Sequence, residues 1–481
     1  MQRAKQLLLR ILPMLLLGGF SFALRLWTLN KSAFAPGWDS YFYLVQVKSL
    51  AETGTMHSPD SSPIFGLLYG LSQICGDYIL AYKLLSAGLA GLFTSLSFLL
   101  ARKIGGFGPA LVVASWTIFS PSLTFFAAQF PKNLLGLNGL LLLLYALHNQ
   151  GRWPKILAFS FAFVAHRMTA GLALLFLLFQ QFTWRRMRLL FSLASLGLLA
   201  SFLLPGLLHL SDFQRLQGAL SSLPQLPGYA FIQLMDAARM HWLWIAEIAL
   251  AYLFFAVLLH HIWQQKPDRW LLGFVLLLSL LTFPFLIIDE NGIGYRFFLT
   301  FMLLAPLCFA CIPHVLPRQF FYFAAGLALG MTLPAQAAYA PETFDPDYAR
   351  YTQIARKTAA LLQAQQTELL IAHKGLAELM TFETGLDVLP WQPEYAIDST
   401  RLWRISFGLQ NMEFRYLLSA KDARQVRELG LEYHLLPEAV WQRFRQAAAQ
   451  EPDADLQARI KSWQNPSRMR PAYLRRNRAQ P

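Results

Sequence analysis

Cysteine is nearly absent from this chain: Cys75, Cys308 and Cys311 are the only three in 481 residues. That count excludes a disulfide framework. Cys308 and Cys311 lie one helical turn apart inside an apolar segment, far from any His-rich partner, so they read as core thiols rather than zinc ligands. Charge is scarce too, at 14% of residues, and acidic residues are the scarcer sign, 27 Asp and Glu against 41 Lys and Arg. In a soluble protein a formal net charge of +14 would indicate nucleic acid. Here the basic residues punctuate the ends of apolar runs, which makes them a topology signal and excludes a nucleic-acid footprint. No internal repeat at solenoid periods is present.

Long apolar runs are what the chain has in quantity. They fall at about 8–27, 78–101, 107–127, 134–148, 156–165, 168–183, 188–210, 241–263, 270–288, 297–313 and 319–336. Read as spans, they make a polytopic α-helical membrane protein with about 11 transmembrane helices. The N-terminal run is long and is interrupted by Arg10 and Pro13, without a small-residue cleavage site, so it reads as a retained helix starting in the cytoplasm rather than a signal peptide. The turns bearing Arg102 and Lys103, Arg152 and Lys155, Arg185 to Arg188, Lys266 and Arg269, and Arg318 then all fall inside, as the positive-inside rule requires. This holds only if residues 156–183 form two short elements turning at His166 and Arg167. One long helix would bury both charges in hydrocarbon and put Lys155 opposite the Arg185 cluster.

The localisation that follows is an inner (plasma) membrane, with everything after about Ala340 extracytoplasmic. Residues 341–460 are more polar, with helical periodicity from Tyr348 to Gln366 and at Ala423 to Leu429, and short β-like runs at Leu369–Ala372, Phe414–Leu418 and Tyr433–Leu436. They read as a small soluble α/β domain. The tail, 461–481, is basic, contains Pro and Asn, and reads as disordered.

The ionisable residues of the membrane part, 1–340, gather on one side. The first external loop, about 28–77, carries Gly37-Trp38-Asp39-Ser40-Tyr41-Phe42-Tyr43, and after Pro36 a helix would put Asp39, Tyr43 and Gln46 on one face. The plain alternative is that Asp39 caps that helix. Lys132 follows Phe130-Pro131, His166 and Arg167 form the next outer turn, and Asp289-Glu290-Asn291-Gly292-Ile293-Gly294-Tyr295-Arg296 forms a tight one later. Taken singly, Lys132 is an ordinary snorkelling lysine, and Asp289 with Arg296 an ordinary ion pair. Charges at a membrane edge are costly, and together the set supplies a carboxylate base and phosphate-gripping cations.

The first loop, Asp39-Ser40-Tyr41-Phe42-Tyr43 with Gly54, resembles the first-loop motif of oligosaccharyltransferase catalytic subunits. The helix count, with Arg296 opening a late helix, is similar to protein mannosyltransferases and aminoarabinose transferases. All belong to the GT-C superfamily of integral-membrane glycosyltransferases, and the likeness in layout covers roughly the first 340 residues. The resemblance implies a GT-C-like architecture and an inverting transfer from a polyprenyl-phosphate sugar donor to a glycan, lipid or protein acceptor, amid membrane lipids. It implies Asp39 as general base, Lys132, Arg167 and Arg296 on the donor phosphate, and Tyr41, Tyr43, His166, Asp289, Glu290 and Tyr295 as further substrate-binding residues. Two departures stand out: Pro390-Trp391-Gln392 does not match the Trp-Trp-Asp that reads glycosylation sequons, and Lys132 stands where that branch has an acidic pair. A metal-independent reaction is therefore preferred, with a divalent Mg or Mn ion left open as cofactor. A lipid-linked glycan polymerase or ligase, and a transporter or flippase, are the competing readings.

Overall fold

The computed structural model describes residues 2–37, 39–58, 60–148, 151–180, 242–264, 267–282, 293–313 and 317–339, with 348–349, 352, 356, 370–372, 374–385 and 388–390. Expectations for 188–210, Asp289, Glu290, Phe414–Leu418, Tyr433–Leu436 and the basic tail lie outside them. The helices are α1 (Gln2–Leu29), α2 (Ser40–Thr53), α3 (Pro63–Cys75), α4 (Tyr78–Gly105), α5 (Phe107–Phe119), α6 (Pro121–Gln129), α7 (Pro131–Ala146), α8 (Arg152–Ala165) and α9 (Arg167–Gln180). After these come α10 (Trp242–Gln264), α11 (Arg269–Thr282), α12 (Ile293–Leu304), α13 (Cys308–Cys311) and α14 (Arg318–Ala338).

Among the described residues four helices are long and apolar enough to cross a membrane: Ile11–Leu29 within α1, Tyr78–Gly105, Leu243–Gln264 and Gln319–Ala338. A fifth is added if the bent pair α5 and α6 counts as one span. Other elements expected to cross are shorter. Helix α8 has 14 residues, a reach of about 21 Å against roughly 30 Å of hydrocarbon. The helix breaks at His166, where the two short elements were expected to meet: His166 ends α8 in an extended conformation and Arg167 opens α9.

By its contacts the chain divides into two compact units, 1–40 with 49–344, and 41–48 with 345–481. In the first unit α1 packs along α4, α14 along α5, and α7 among α4, α8 and α9. Small residues permit these crossings. A Cβ on Gly139 would lie 2.8 Å from the Ala162 backbone, so α7 and α8 meet almost main chain to main chain.

The run expected as one span at 107–127 is broken at Ser120, with α5 and α6 bent by 57°. Pro121 sits in the first turn of α6 and cannot donate to the preceding helix. Ionisable side chains from two other spans fill the break, and both are fully buried. Arg25 of α1 donates to the carbonyls of Thr117 at 2.5 Å and Ser120 at 3.3 Å. Glu247 of α10 accepts from the Ser122 amide at 3.1 Å, the Ser122 hydroxyl at 2.7 Å and the Ser120 hydroxyl. Lys31 similarly donates to the carbonyls of Gln336, Ala337 and Tyr339 at the end of α14, at 2.5, 2.9 and 2.9 Å.

Within the second unit, β1 (Leu370–Ala372) and β2 (Val388–Pro390) pair in parallel, with α15 (Lys374–Thr384) between them in sequence. This single β-α-β unit is what the described residues contain of the expected α/β domain.

Candidate functional site

Three helix starts carry the cations. Pro131 opens α7, where its missing N–H costs nothing, and makes Lys132 the second residue of that helix. The Lys132 ammonium lies 2.6 Å from Asp60 Oδ2 and 5.9 Å from the centre of the Phe65 ring. Asp60 Oδ1 accepts from the Ser62 amide at 2.8 Å, and the Ser62 hydroxyl donates to the Ala165 carbonyl at 2.8 Å. The loop leading into α3 thus ties the start of α7 to the end of α8.

One turn beyond Lys132 the absence of a side chain lets α9 approach. A Cβ on Gly136 would collide with the Thr169 hydroxyl and sit 3.0 Å from His166 Cβ. His166 Nδ1 accepts from the Met168 amide at 3.2 Å, and the Thr169 hydroxyl donates to the His166 carbonyl at 2.7 Å. Burial, then the charges of Lys132, Arg296 and Arg167, hold His166 well below its ordinary 6.5. The ring is therefore neutral near pH 7, and with Nδ1 accepting, its proton resides on Nε2. Arg296, in the first turn of α12, places its guanidinium 4.6 Å from the centre of the Phe130 ring. Burial lowers the Lys132 pKa, Asp60 opposes that, and Arg167 and Arg296 add to the lowering.

Lys132, His166, Arg167 and Arg296 therefore share one electrostatic neighbourhood. The cations occupy the wrong ends of their helices for stability. A helix start carries about half a positive charge, and a cation there loses roughly 0.3–1 kcal/mol rather than gaining it. Asp60 meets Lys132 at 2.6 Å, and the helix starts add their positive potential to that of the cations, an electrostatic setting that favours an anion.

Asp39 occupies the position before α2 where a cap would sit, yet its carboxylate makes no capping hydrogen bond. The plain reading of Asp39 as a cap is not what the geometry gives. Two residues earlier, at Gly37 with φ +99°, a Cβ would collide with the Ala128 carbonyl and lie 3.1 Å from the Gln129 α-carbon. The Tyr82 hydroxyl donates to that Ala128 carbonyl at 2.9 Å. The loop bearing Asp39 is thus anchored at the end of α6, the helix that runs into Phe130 and Lys132.

Other expected site residues stand differently. Tyr41 and Tyr43 are counted with the second unit, where Tyr41 is fully buried, its ring centre 4.6 Å from that of Tyr348 and 5.5 Å from that of Phe382. Tyr41 thus serves packing there, and Tyr43 is buried with its ring edge-on to Phe42. Asp289 and Glu290 lie outside the described residues, as does the side chain of Tyr295.

Sequence reasoning missed Asp60, Arg25 and Glu247. Asp60 sits among serines and prolines with no periodicity to flag it, whereas a charge isolated in an apolar run, such as Arg25 or Glu247, was a signal to follow. Among the described residues no three His, Cys, Asp or Glu side chains gather as metal ligands. No family model matches the chain, and no curated protein matches it in sequence.

Proposed function

We propose that this chain is an inverting membrane glycosyltransferase of GT-C-like architecture, taking its sugar from a polyprenyl-phosphate donor on the extracytoplasmic face. The observation that carries the reading is the convergence of Lys132, Arg167 and Arg296 at helix starts beside a neutral His166. Such a cluster binds a phosphate at headgroup depth, where a lipid phosphate must stay while its tail remains in hydrocarbon. In the reaction Asp39 accepts the proton of the acceptor hydroxyl as that oxygen bonds to the anomeric carbon, and the bond from that carbon to the phosphate oxygen breaks. The electron pair leaves with the lipid phosphate, whose negative charge Lys132 and the two arginines stabilise. The His166 Nε2–H supplies a neutral donor to the same anion. The acceptor is a glycan, lipid or protein, and a Mg or Mn ion, if used, would add its charge to that of the cations.

The test is transfer of a mass-tagged sugar from polyprenyl phosphate by the protein in nanodiscs. Asp39→Asn should abolish transfer while leaving donor binding intact, and undiminished transfer would remove Asp39 from the mechanism. One observation favours a second reading, a transporter or flippase: the ion-bearing residues Arg25 and Glu247 lie inside candidate spans. Movement of the lipid across the bilayer without sugar transfer would select it.

A further inference from the structure

The buried charges of Arg25 and Glu247 are placed for orientation rather than for chemistry. Neither reaches solvent, and each is directed at a different half of the broken span. Arg25 takes the last carbonyls of α5, where a helix is negative. Glu247 takes the first amide and hydroxyls of α6, where a helix is positive. Thr124 of α6 is held further along by Gln336 of α14 at 2.9 Å, and Gln336 Nε2 donates back to the Phe119 carbonyl at 3.3 Å. The break is therefore gripped on both sides by α1, α10 and α14. Helix α6 then carries this orientation to its far end, where Ala128 and Gln129 meet Gly37 and where Phe130 and Lys132 begin the next element.

We propose that Arg25 and Glu247 are positioning residues, which set the angle of α6 and so hold Lys132 against Asp60 and Phe130 against Arg296. The assignment rests on the anion-site reading of that cluster. Removing one member leaves an uncompensated buried charge and endangers folding, but removing both often leaves stability unchanged or raised. The double variant R25M/E247M therefore separates position from stability.

The Lys132–Asp60 contact, 2.6 Å long, is read directly by zero-length carbodiimide coupling of the full-length protein, followed by peptide mass spectrometry. Anion binding is read alongside with phosphatidylcholine vesicles containing phosphatidate, which presents a phosphate monoester. In the double variant the Lys132–Asp60 coupling yield should fall at least about tenfold, since displacement of the order of 1 Å is enough to cost about 100-fold in positioned chemistry. Phosphatidate affinity should fall with it. Pro121→Ala, which removes the covalent cause of a break but leaves both charges, should retain coupling within about twofold of the parent.

Unchanged coupling in the double variant, or its loss in Pro121→Ala, would overturn the proposal. Should the double variant fail to fold, Pro121→Ala together with Glu247→Gln decides, because Gln keeps one acceptor for α6 without charge and should give an intermediate yield; a parental yield overturns the assignment. Failure of the parent protein to bind phosphatidate would count against the anion site alone, while the coupling yields would still decide the positioning role.

Discussion

Cations serve opposite purposes at the two kinds of helix end in this protein. Arg25 and Lys31 meet helix finishes, where their N–H groups satisfy carbonyls that have no partner within the helix. Lys132, Arg167 and Arg296 sit at helix starts, where the backbone offers further donors and repels them. The first arrangement explains itself through stability. The second runs against the local field of the helix, and there Lys132 meets Asp60 at 2.6 Å.

That contrast makes predictions of opposite sign. The largest effect is expected from R167A/R296A, which should lower sugar transfer by about 10³-fold or more, because each preorganised donor to a developing anion contributes about 10²–10³. The same change should leave the melting temperature equal or higher; a marked loss of stability would place these arginines with the structural class. Arg25→Met should do the reverse in stability, with a loss of about 3–5 kcal/mol by denaturant titration in detergent, because Glu247 is left buried without its counter-charge.

A smaller effect is expected from pH. With the folded pKa of His166 held below 6.5, the unfolded chain binds the extra proton first as pH falls. Stability should therefore decline below about pH 6.5, by at most about 1.4 kcal/mol per pH unit. His166→Gln should flatten that slope. A phosphate brought to the cluster should raise the His166 pKa, so anion affinity should strengthen on acidification, measurable by isothermal titration across pH 5.5–7.5. The smallest change is expected at Lys31→Met: its ammonium donates to three carbonyls at the partly exposed end of α14, where water can take its place, so it should contribute about 1 kcal/mol or less to thermal stability.

The sequence carried some of this and hid the rest for identifiable reasons. The break at His166–Arg167 was legible because two adjacent charges within an apolar run have few affordable positions. The helix after Asp39 was legible from its periodicity, and it is observed from Ser40 to Thr53. The break at Ser120 was not, because Ser-Pro within 13 apolar residues on one side and nine on the other reads equally as a kink or as a new helix start. The two short elements expected at 156–165 and 168–183 are described as the helices Arg152–Ala165 and Arg167–Gln180, a division legible because one long helix would have buried both charges in hydrocarbon. Asp60 went unseen for another reason: its role comes from Lys132, 72 positions away.

Gly37 gives the arrangement a built-in ruler. Because bare backbone touches bare backbone where that residue meets Ala128 and Gln129, the gap between the acidic loop and the α6 terminus is set by main-chain thickness and not by any rotamer. Even alanine would wedge that seam open, besides having to adopt φ +99°. The approach of the Asp39-bearing loop to the α6 terminus is thus a dimension that side-chain repacking cannot adjust.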